Sequence, residues 1–437
     1  MTVGSPQEKG NMFSKFDFSK VKILVIGDVM LDKYYYGTVE RISPEAPIPV
    51  LKVTEKISSL GGAANVANNI ISLTAEALLF GLIGDDFNGK EFSDIINGKN
   101  IENYLLKLDM PTITKSRVVA NKKQQIVRLD FEENLKLDKK ILESIKLKLQ
   151  ELLPKADLII ISDYAKGLIN KEICSFIIDE AGKINKKIII DPKKNNWQLY
   201  KNAFMITPNF SEFQKAIGIN INNTDAEIEL HGRKLLESLN LDYLLITRSE
   251  KGMSLISKND SHYFRAIAQE VYDVSGAGDT VIGTLAVALA KGFDVYTACD
   301  LANKAAGVVV KKLGTAPITL SELEDTIIEA HEENKIVPIK FLLRKLNGSK
   351  FSFIEGSFDS LNRNLIKAIR ELKKQTDIVV VGLPNSFDQD TLQDRIFLLA
   401  ALEFIDYIIV LEELDSKKLI QNLKPDFYYK DTDLKGV

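Results

Sequence analysis

The sequence is poor in the residues that most often mark metal and redox chemistry. It holds two cysteines, Cys174 and Cys299, in 437 residues. They lie far apart and without metal-type spacing, so no disulfide framework is indicated, and a reducing, cytoplasmic setting fits. Histidine is almost as scarce, with only His231, His262 and His331. No run of 18 apolar residues occurs, so no transmembrane span is expected. Neither sign of charge dominates: 57 Lys and Arg stand against 60 Asp and Glu, a net charge of −3. That balance makes no electrostatic case for nucleic acid or an anionic membrane as a partner. The first 20 residues are polar and mixed, lack the apolar core of a signal peptide, and are expected to form a flexible leader.

What is present is a rhythm. Short apolar runs rich in β-formers alternate with helical stretches from Lys22 onward. "VKILVIGD", "AEALLFGLIG", "ADLIIISDY", "KKIIIDP", "FMITPN" and "DYLLITRS" read as buried strands, and "GGAANVANNIISL" as a helix opening on two glycines. Such alternation predicts an α/β fold, a mostly parallel sheet covered by helices on both faces. Residues 33–57 and 112–131 break the rhythm and read as strands without an intervening helix. They predict a small antiparallel β-flap able to close over a cleft and exclude water. Beyond Lys335 the rhythm restarts, with "KFSFIEGSF", "DIVVVGLPN" and "YIIVLEEL" as strands. The expected division is therefore a large domain over 21–334 and a small Rossmann-like α/β unit over 335–437.

The most informative stretch is "DVSGAGDTVIGTLAVALAKG", Asp273–Gly292. A turn through Gly276, Ala277 and Gly278 lets backbone N–H groups converge at the mouth of the following helix, where the helix dipole adds positive potential. That suits a phosphoryl group whose charge grows during transfer. Asp279 would repel such a group if it only had to bind it. It is placed to take the proton of an attacking hydroxyl, although a plain N-cap aspartate after a glycine turn has the same spelling.

Other candidates sit at strand ends, where open α/β sheets bind ligands. Asn209 and Glu212 follow "FMITP" and suit a hydrated Mg²⁺ reached through water. Lys193 in "DPK" supplies a cation. Asp28 and Asp32 in "GDVMLD" suit paired sugar hydroxyls, and Gly61, Gly62 and Asn65 add close backbone approach and an amide. "GDDFNGKE", Gly84–Glu91, nearly spells a phosphate-binding P-loop. Its last residue is Glu91 rather than Ser or Thr, and Asp85 and Asp86 would repel phosphates, so it reads as a turn.

The motifs "GGAANVA", "NFSE" and "DVSGAGDT" resemble those of the ribokinase-like carbohydrate kinases, a likeness that runs from about residue 21 to 330. Within that family, "GDVMLDKYYYGTVERISPEAPIPV", "RVVANKKQQIVRLDFEE", "ITRSEKGMSL" and "ANKAAGVVVKKLGT" resemble the heptose 7-phosphate kinases. The resemblance implies ATP- and Mg²⁺-dependent phosphorylation of the anomeric hydroxyl of D-glycero-β-D-manno-heptose 7-phosphate, on the way to ADP-heptose and the lipopolysaccharide core. It implies Asp279 as base and Gly276–Gly278 as anion hole. It places Asn209, Phe210, Ser211, Glu212, Lys193, Thr247, Gly252 and Asn303 toward ATP, with Asn303 near the adenine. It places Asp28, Asp32, Gly61, Gly62 and Asn65 toward the sugar, and Arg128 of the flap toward the 7-phosphate. The open strand edges of the flap and its Tyr34–Tyr36 cluster call for cover, so a homodimer through the flap is expected. A kinase for another sugar or sugar phosphate and a non-catalytic sugar-phosphate sensor are the competing readings.

The likeness continues past Lys335 into the nucleotidyltransferase that follows the kinase in bifunctional relatives. Its signature is G-x-F-D-x-x-H-x-G-H, whose histidines stabilise the charge of the triphosphate. Here the stretch is "GSFDSLNRNL", Gly356–Leu365. Asn362, Asn364 and Leu365 stand where His, Gly and His are expected, no histidine lies beyond His331, and the later Ser-Thr-Thr segment does not follow within these residues. A neutral amide cannot supply imidazolium charge, so a kept fold with lost chemistry is expected, against the alternative of residual adenylyl transfer. The full chain, given ATP and heptose 1-phosphate, is expected to release no pyrophosphate. Pyrophosphate release that disappears when residues 336–437 are removed would overturn this.

Overall fold

The computed structural model describes residues 16–121, 124–133, 135, 137–193, 196–267, 271–312, 314–329, 335–337, 339–346, 348–384, 389–411 and 416–434. Most of the leader and His331 lie outside them. Contacts divide the chain into one compact unit over Phe18–Leu323 and a second that takes Glu324–Val437 and the first 17 residues. The division falls ahead of Lys335.

In the larger unit the chain enters β1 (Lys22–Gly27) and, after Asp28 alone, runs on into β2 (Val29–Ile42). It returns as β3 (Pro49–Gly62) and passes directly into helix α1 (Ala63–Ser72). β4 (Glu76–Gly84), α2 (Phe87–Asn97) and β5 (Ile101–Leu108) follow, then the hairpin β6 (Thr114–Ala120) and β7 (Gln124–Phe131). The alternation resumes with α3 (Lys139–Leu152), β8 (Leu158–Ser162), α4 (Lys171–Lys183), β9 (Lys187–Asp191), β10 (Met205–Ile206), α5 (Phe210–Ile217), α6 (Asp225–Leu239) and β11 (Tyr243–Thr247). A hairpin of β12 (Met253–Ser257) and β13 (Ser261–Phe264) precedes α7 (Ala277–Lys291) and α8 (Val295–Val309), and the division between the units falls within α9 (Leu320–Glu329).

Nine strands form one sheet in the order β13-β12-β11-β10-β9-β8-β1-β4-β5. Pairing is parallel from β5 to β11 and antiparallel at β12 and β13. The inner parallel strands are apolar over nearly their whole length because both faces are covered, while edge strand β5 is only partly buried. On one face Leu24, Ile26, Phe80, Ile159, Ile161, Ile190 and Ile246 pack with residues of α3, α4 and α6. On the other, α7 lies against α1 and is buried from Asp279 to Leu289. Its small residues make this possible: a Cβ on Gly283 would sit 3.2 Å from the Asn69 Cβ of α1.

The flap is a separate four-stranded sheet, β3-β2-β6-β7. It is mixed rather than antiparallel, since β2 pairs with β6 in parallel while β2–β3 and β6–β7 are antiparallel. The parallel pair arises because β2 and β6 both leave the large sheet in the same direction. The strands β5, β12 and β13 went unanticipated, because their half-buried or short patterns carry weak period-two signals.

In the smaller unit, α10 (Ile339–Lys345) precedes β14 (Phe351–Glu355), α11 (Arg363–Gln375), β15 (Ile378–Pro384), α12 (Gln389–Ala400), β16 (Tyr407–Leu411), α13 (Ser416–Leu423), β17 (Phe427–Lys430) and α14 (Asp431–Leu434). Its all-parallel sheet has the order β16-β15-β14-β17, with an apolar core on each face. Asn362 caps α11, its side-chain oxygen accepting the Leu365 N–H at 3.0 Å, and Leu365 is fully buried. Both positions therefore hold the helix in place.

Candidate active site

The C-terminal ends of β8, β9, β10 and β11 converge on a cavity of about 170 Å³. Its wall includes Tyr164, Asp191, Lys193, Asn209, Glu212, Thr247, Gly276, Gly278 and Asp279. The glycine turn stands as its spelling suggests. Gly276 caps α7 at φ 81°, a left-handed value that disfavours any side chain. A Cβ on Gly278 would enter open space. The Ala277 N–H closes onto the Val274 carbonyl at 3.2 Å. Among the described residues the N–H groups of Gly276, Gly278 and Asp279 make no hydrogen bond and stand as the anion-receptive donors of the turn.

Asp279 is 7% exposed and held by two side chains. The Asn65 amide of α1 donates to Oδ2 at 2.6 Å and the Tyr164 hydroxyl donates to Oδ1 at 2.9 Å. Burial pushes its carboxyl up to about 6, and those two donors restrain the rise. It thus stays largely ionised at neutral pH yet is a better base than a solvated aspartate. The other amide atom of Asn65, Oδ1, is buried without a partner.

Asp191, half-buried in the cavity wall, is driven well above the usual carboxylate range by desolvation and by the neighbouring Asp279 and Glu212 carboxylates. Lys193 opposes them, its Nζ 2.7 Å from Glu212 Oε1. Asn209 and Glu212 cap α5 reciprocally: the Asn209 side chain accepts the Glu212 N–H and Glu212 Oε2 accepts the Asn209 N–H. Among the described residues no three such side chains converge to ligate a metal directly. The excess of carboxylate around one lysine fits a hydrated cation that neutralises without being caged. Phe210 packs toward the core, Ser211 is exposed, and neither borders the cavity.

Several expected ligands have other work. The Asp28 carboxylate accepts the N–H groups of Tyr164, Lys166 and Leu168 at 3.0, 2.9 and 3.4 Å. It anchors the turn after β8 and is not free for a sugar. Gly252 turns β11 into β12 at φ 81°, where a Cβ would meet the Phe264 carbonyl oxygen at 1.9 Å, and it does not border the cavity. Asn303 is buried and donates to the Arg265 carbonyl at 2.8 Å, also away from the cavity wall. The near-P-loop is the N-cap of α2. There Asp86 accepts the Gly89 N–H, the Thr112 N–H and the Thr112 hydroxyl.

The flap brings a second charged cluster to the site. Strand register aligns Asp32 with Lys115 and Tyr34 with Arg117, and on the next strand Lys115 with Asp130 and Arg117 with Arg128. Asp32 is buried, Arg117 reaches its Oδ1 at 2.7 Å, and Gly61 leaves room beside Oδ2. A side chain at Gly62 would strike the Asp28 carbonyl oxygen at 2.3 Å. Lys115 lies over the Tyr164 ring, 5.6 Å from its centroid, and burial lowers its ammonium. Among the described residues it makes no ion pair. Arg128 is half-exposed and bound bidentately to Asp130 at 2.9 Å. Sequence reading missed Tyr164, Lys115 and Arg117. The i, i+2 spacing of the two cations on a strand facing Asp32 was the available signal.

The family model for pfkB family carbohydrate kinases matches residues 20–322. The bifunctional protein HldE of Proteus mirabilis (strain HI4320) is 40% identical over 438 residues, spanning 96% of this chain and 91% of that protein. HldE of Helicobacter pylori (strain P12) is 39% identical over 94% of this chain and 91% of its own length. Among solved structures, phosphofructokinase-2 of Escherichia coli in complex with potassium superposes with a TM-score of 0.61 at 16% identity, covering 70% of this chain and 98% of that one. Ribokinase of Thermotoga maritima gives 0.55 at 21% identity, over 70% of this chain and 99% of that one. These two show the shared ribokinase-like fold. The glycine turn with its buried aspartate and the match over most of the chain lead to one conclusion: the chain belongs to the pfkB family of carbohydrate kinases.

Proposed function

We propose that the chain transfers the terminal phosphoryl group of ATP to the anomeric hydroxyl of D-glycero-β-D-manno-heptose 7-phosphate, giving the 1,7-bisphosphate and ADP. The observation that carries this is the second anion-receptive cluster: half-buried Lys115, without an ion pair, beside Arg117 and Arg128 on the flap face next to Asp32. A substrate that already bears a phosphate remote from its reacting hydroxyl fits such a site, and HldE relatives match nearly the full chain.

In this reading Asp32 and Asn65 orient the sugar, with the orphaned Asn65 oxygen accepting a hydroxyl. Asp279 takes the proton of the anomeric hydroxyl as its oxygen bonds to the γ-phosphorus and the bond to the ADP oxygen breaks. The Gly276, Gly278 and Asp279 N–H groups stabilise the charge that grows on the transferring group. Asn209, Lys193 and Thr247 line the ATP side. Glu212 would hold Mg²⁺ through water, where the ion would supply charge neutralisation to the phosphates. The setting is cytoplasmic, in keeping with the buried thiols of Cys174 and Cys299, which form no disulfide among the described residues. No helix among the described residues is long and apolar enough to cross a membrane.

We further propose that the smaller unit is a catalytically silent remnant. A Cβ on Gly356, the first glycine of the signature stretch, would lie 2.2 Å from the Asp431 Cγ, and Asp431 already accepts the Phe358 N–H at 3.0 Å. Dimerisation through the flap is supported by exposed Val127, Leu129 and Phe131 on edge strand β7. Tyr34–Tyr36 contribute less than their spelling suggests, being half-buried.

Four outcomes are expected. Asp279→Asn lowers kcat by about 10²–10⁴-fold with the melting temperature unchanged. In the unaltered chain, kcat/KM falls about tenfold per pH unit below about 6, since a carboxyl raised to that value is protonated and inert as a base on the acid side. A variant retaining more than about a tenth of turnover removes the assignment. Lys115→Ala raises KM for the heptose phosphate about tenfold or more and leaves KM for ATP near wild type. A panel in which free sugars or hexose phosphates outpace heptose 7-phosphate contradicts the substrate. Light scattering at micromolar concentration should report a dimer, and monomer alone would remove the flap interface.

A further inference from the structure

Tyr164 lies outside the motifs that carry the family likeness, yet the fold concentrates buried anchors on the turn that presents it. β8 ends at Ser162. Asp163, 1% exposed, then accepts the Ala165 N–H at 2.7 Å and the Tyr200 hydroxyl at 2.6 Å. Asp28 accepts three further N–H groups of the same turn, including that of Tyr164 itself. Ala165 sits at φ 58° and Gly167 at φ 114°. A non-glycine residue in the left-handed region persists only where its surroundings over-determine it. The side chain so presented borders the cavity and donates to Asp279 Oδ1 from the side opposite Asn65.

We propose that Tyr164 is a positioning residue for phosphoryl transfer: clamped between its hydroxyl and the Asn65 amide, the Asp279 carboxylate is fixed in the orientation that accepts the sugar proton. This rests on Asp279 being the base. A carboxylate with one donor on each oxygen cannot rotate about its Cβ–Cγ bond without losing both, and each oxygen keeps a lone pair for the substrate. The hydroxyl also favours the ionised carboxylate. The charged and titratable groups around Asp279 are Asp32 from β2 and Lys115 from β6, with Asp191 and Lys193 at the end of β9. Tyr164 itself stays neutral, because burial and the Asp279 charge hold its phenol well above the usual range. Loss of its donation leaves Asp32 and burial less opposed.

The test is kcat/KM against pH, from about 5 to about 9, on the full chain with ATP and the heptose phosphate. Tyr164→Phe keeps the ring under Lys115 and removes only the donor. The acid limb is expected to move to higher pH by about one unit, with activity recovering toward wild type at the alkaline end. Fluorotyrosine placed at 164 alone, a stronger donor of the same shape, is expected to move the limb to lower pH. A limb unmoved by either variant, or a kcat that Tyr164→Phe lowers by one factor at every pH, overturns the proposal and leaves a space-filling role. If Tyr164→Phe does not fold, the fluorotyrosine arm decides alone. Asp279→Asn separates the two readings. If it retains turnover, the base assignment fails and the proposal with it. If it abolishes turnover while the Tyr164 variants leave the limb in place, only the role of Tyr164 falls.

Discussion

Asp28 is the joint on which this site depends. It is the single residue between β1 of the large sheet and β2 of the flap, and each of its polar groups is engaged. Its N–H donates to the Ser162 carbonyl of β8, its carbonyl accepts the Ala63 N–H of α1, and its carboxylate gathers the turn that carries Tyr164. Burial raises its carboxyl above the usual carboxylate range, and the N–H donors of the turn oppose that rise. A carboxylate in this place serves as a backbone fastener for sheet, flap, first helix and Tyr164 turn together. That is why a residue suited by type to sugar hydroxyls is unavailable to them.

From that joint the chemistry follows by proximity. The Gly61–Gly62 end of β3 runs straight into α1, whose Asn65 meets Asp279 at the mouth of α7. Helices α1 and α7 approach closely because Gly283 offers no side chain to Asn69, and the Thr280 hydroxyl donates to the Asn69 side chain at 2.8 Å. The small-residue run after Asp279 is thus a packing requirement that delivers a carboxylate to a dry place. Dryness raises its basicity, and the free N–H groups beside it supply the compensating potential for a transferring phosphoryl group. The same burial leaves Asp191 crowded and Lys193 outnumbered, which is the electrostatic condition for a cation on the nucleotide side.

The smaller unit, proposed above as a silent remnant, stands on packing alone. Its parallel sheet and two apolar cores remain, because they depend on Phe353, Ile354, Val380 and Ile409 rather than on histidines. Asn362 and Leu365 each improve the helix they belong to, one as a cap and one as core. Asp431 satisfies the Phe358 N–H in the space over Gly356. Each of these residues leaves a locally satisfied structure, as the proposed silent remnant requires.

The sequence by itself determined the parallel α/β core, the helix mouth at Gly276–Asp279 and the loss of histidine from the smaller unit. Those features are written in local signals: continuous apolar strands, glycine spacing and plain counts. Only the tertiary structure decided which strand-end carboxylates are free. Asp28 and Asp32 are four residues apart with the same chemistry, yet one binds backbone N–H groups and the other meets Arg117 beside an open glycine. It alone turned the Ala277 N–H away from the anion site, gave Gly252 and Asn303 backbone duties, and brought Tyr164, Lys115 and Arg117 beside Asp279 and Asp32. Such partnerships join residues far apart in the chain, and strand register and sheet order bring them together. No window of sequence contains them.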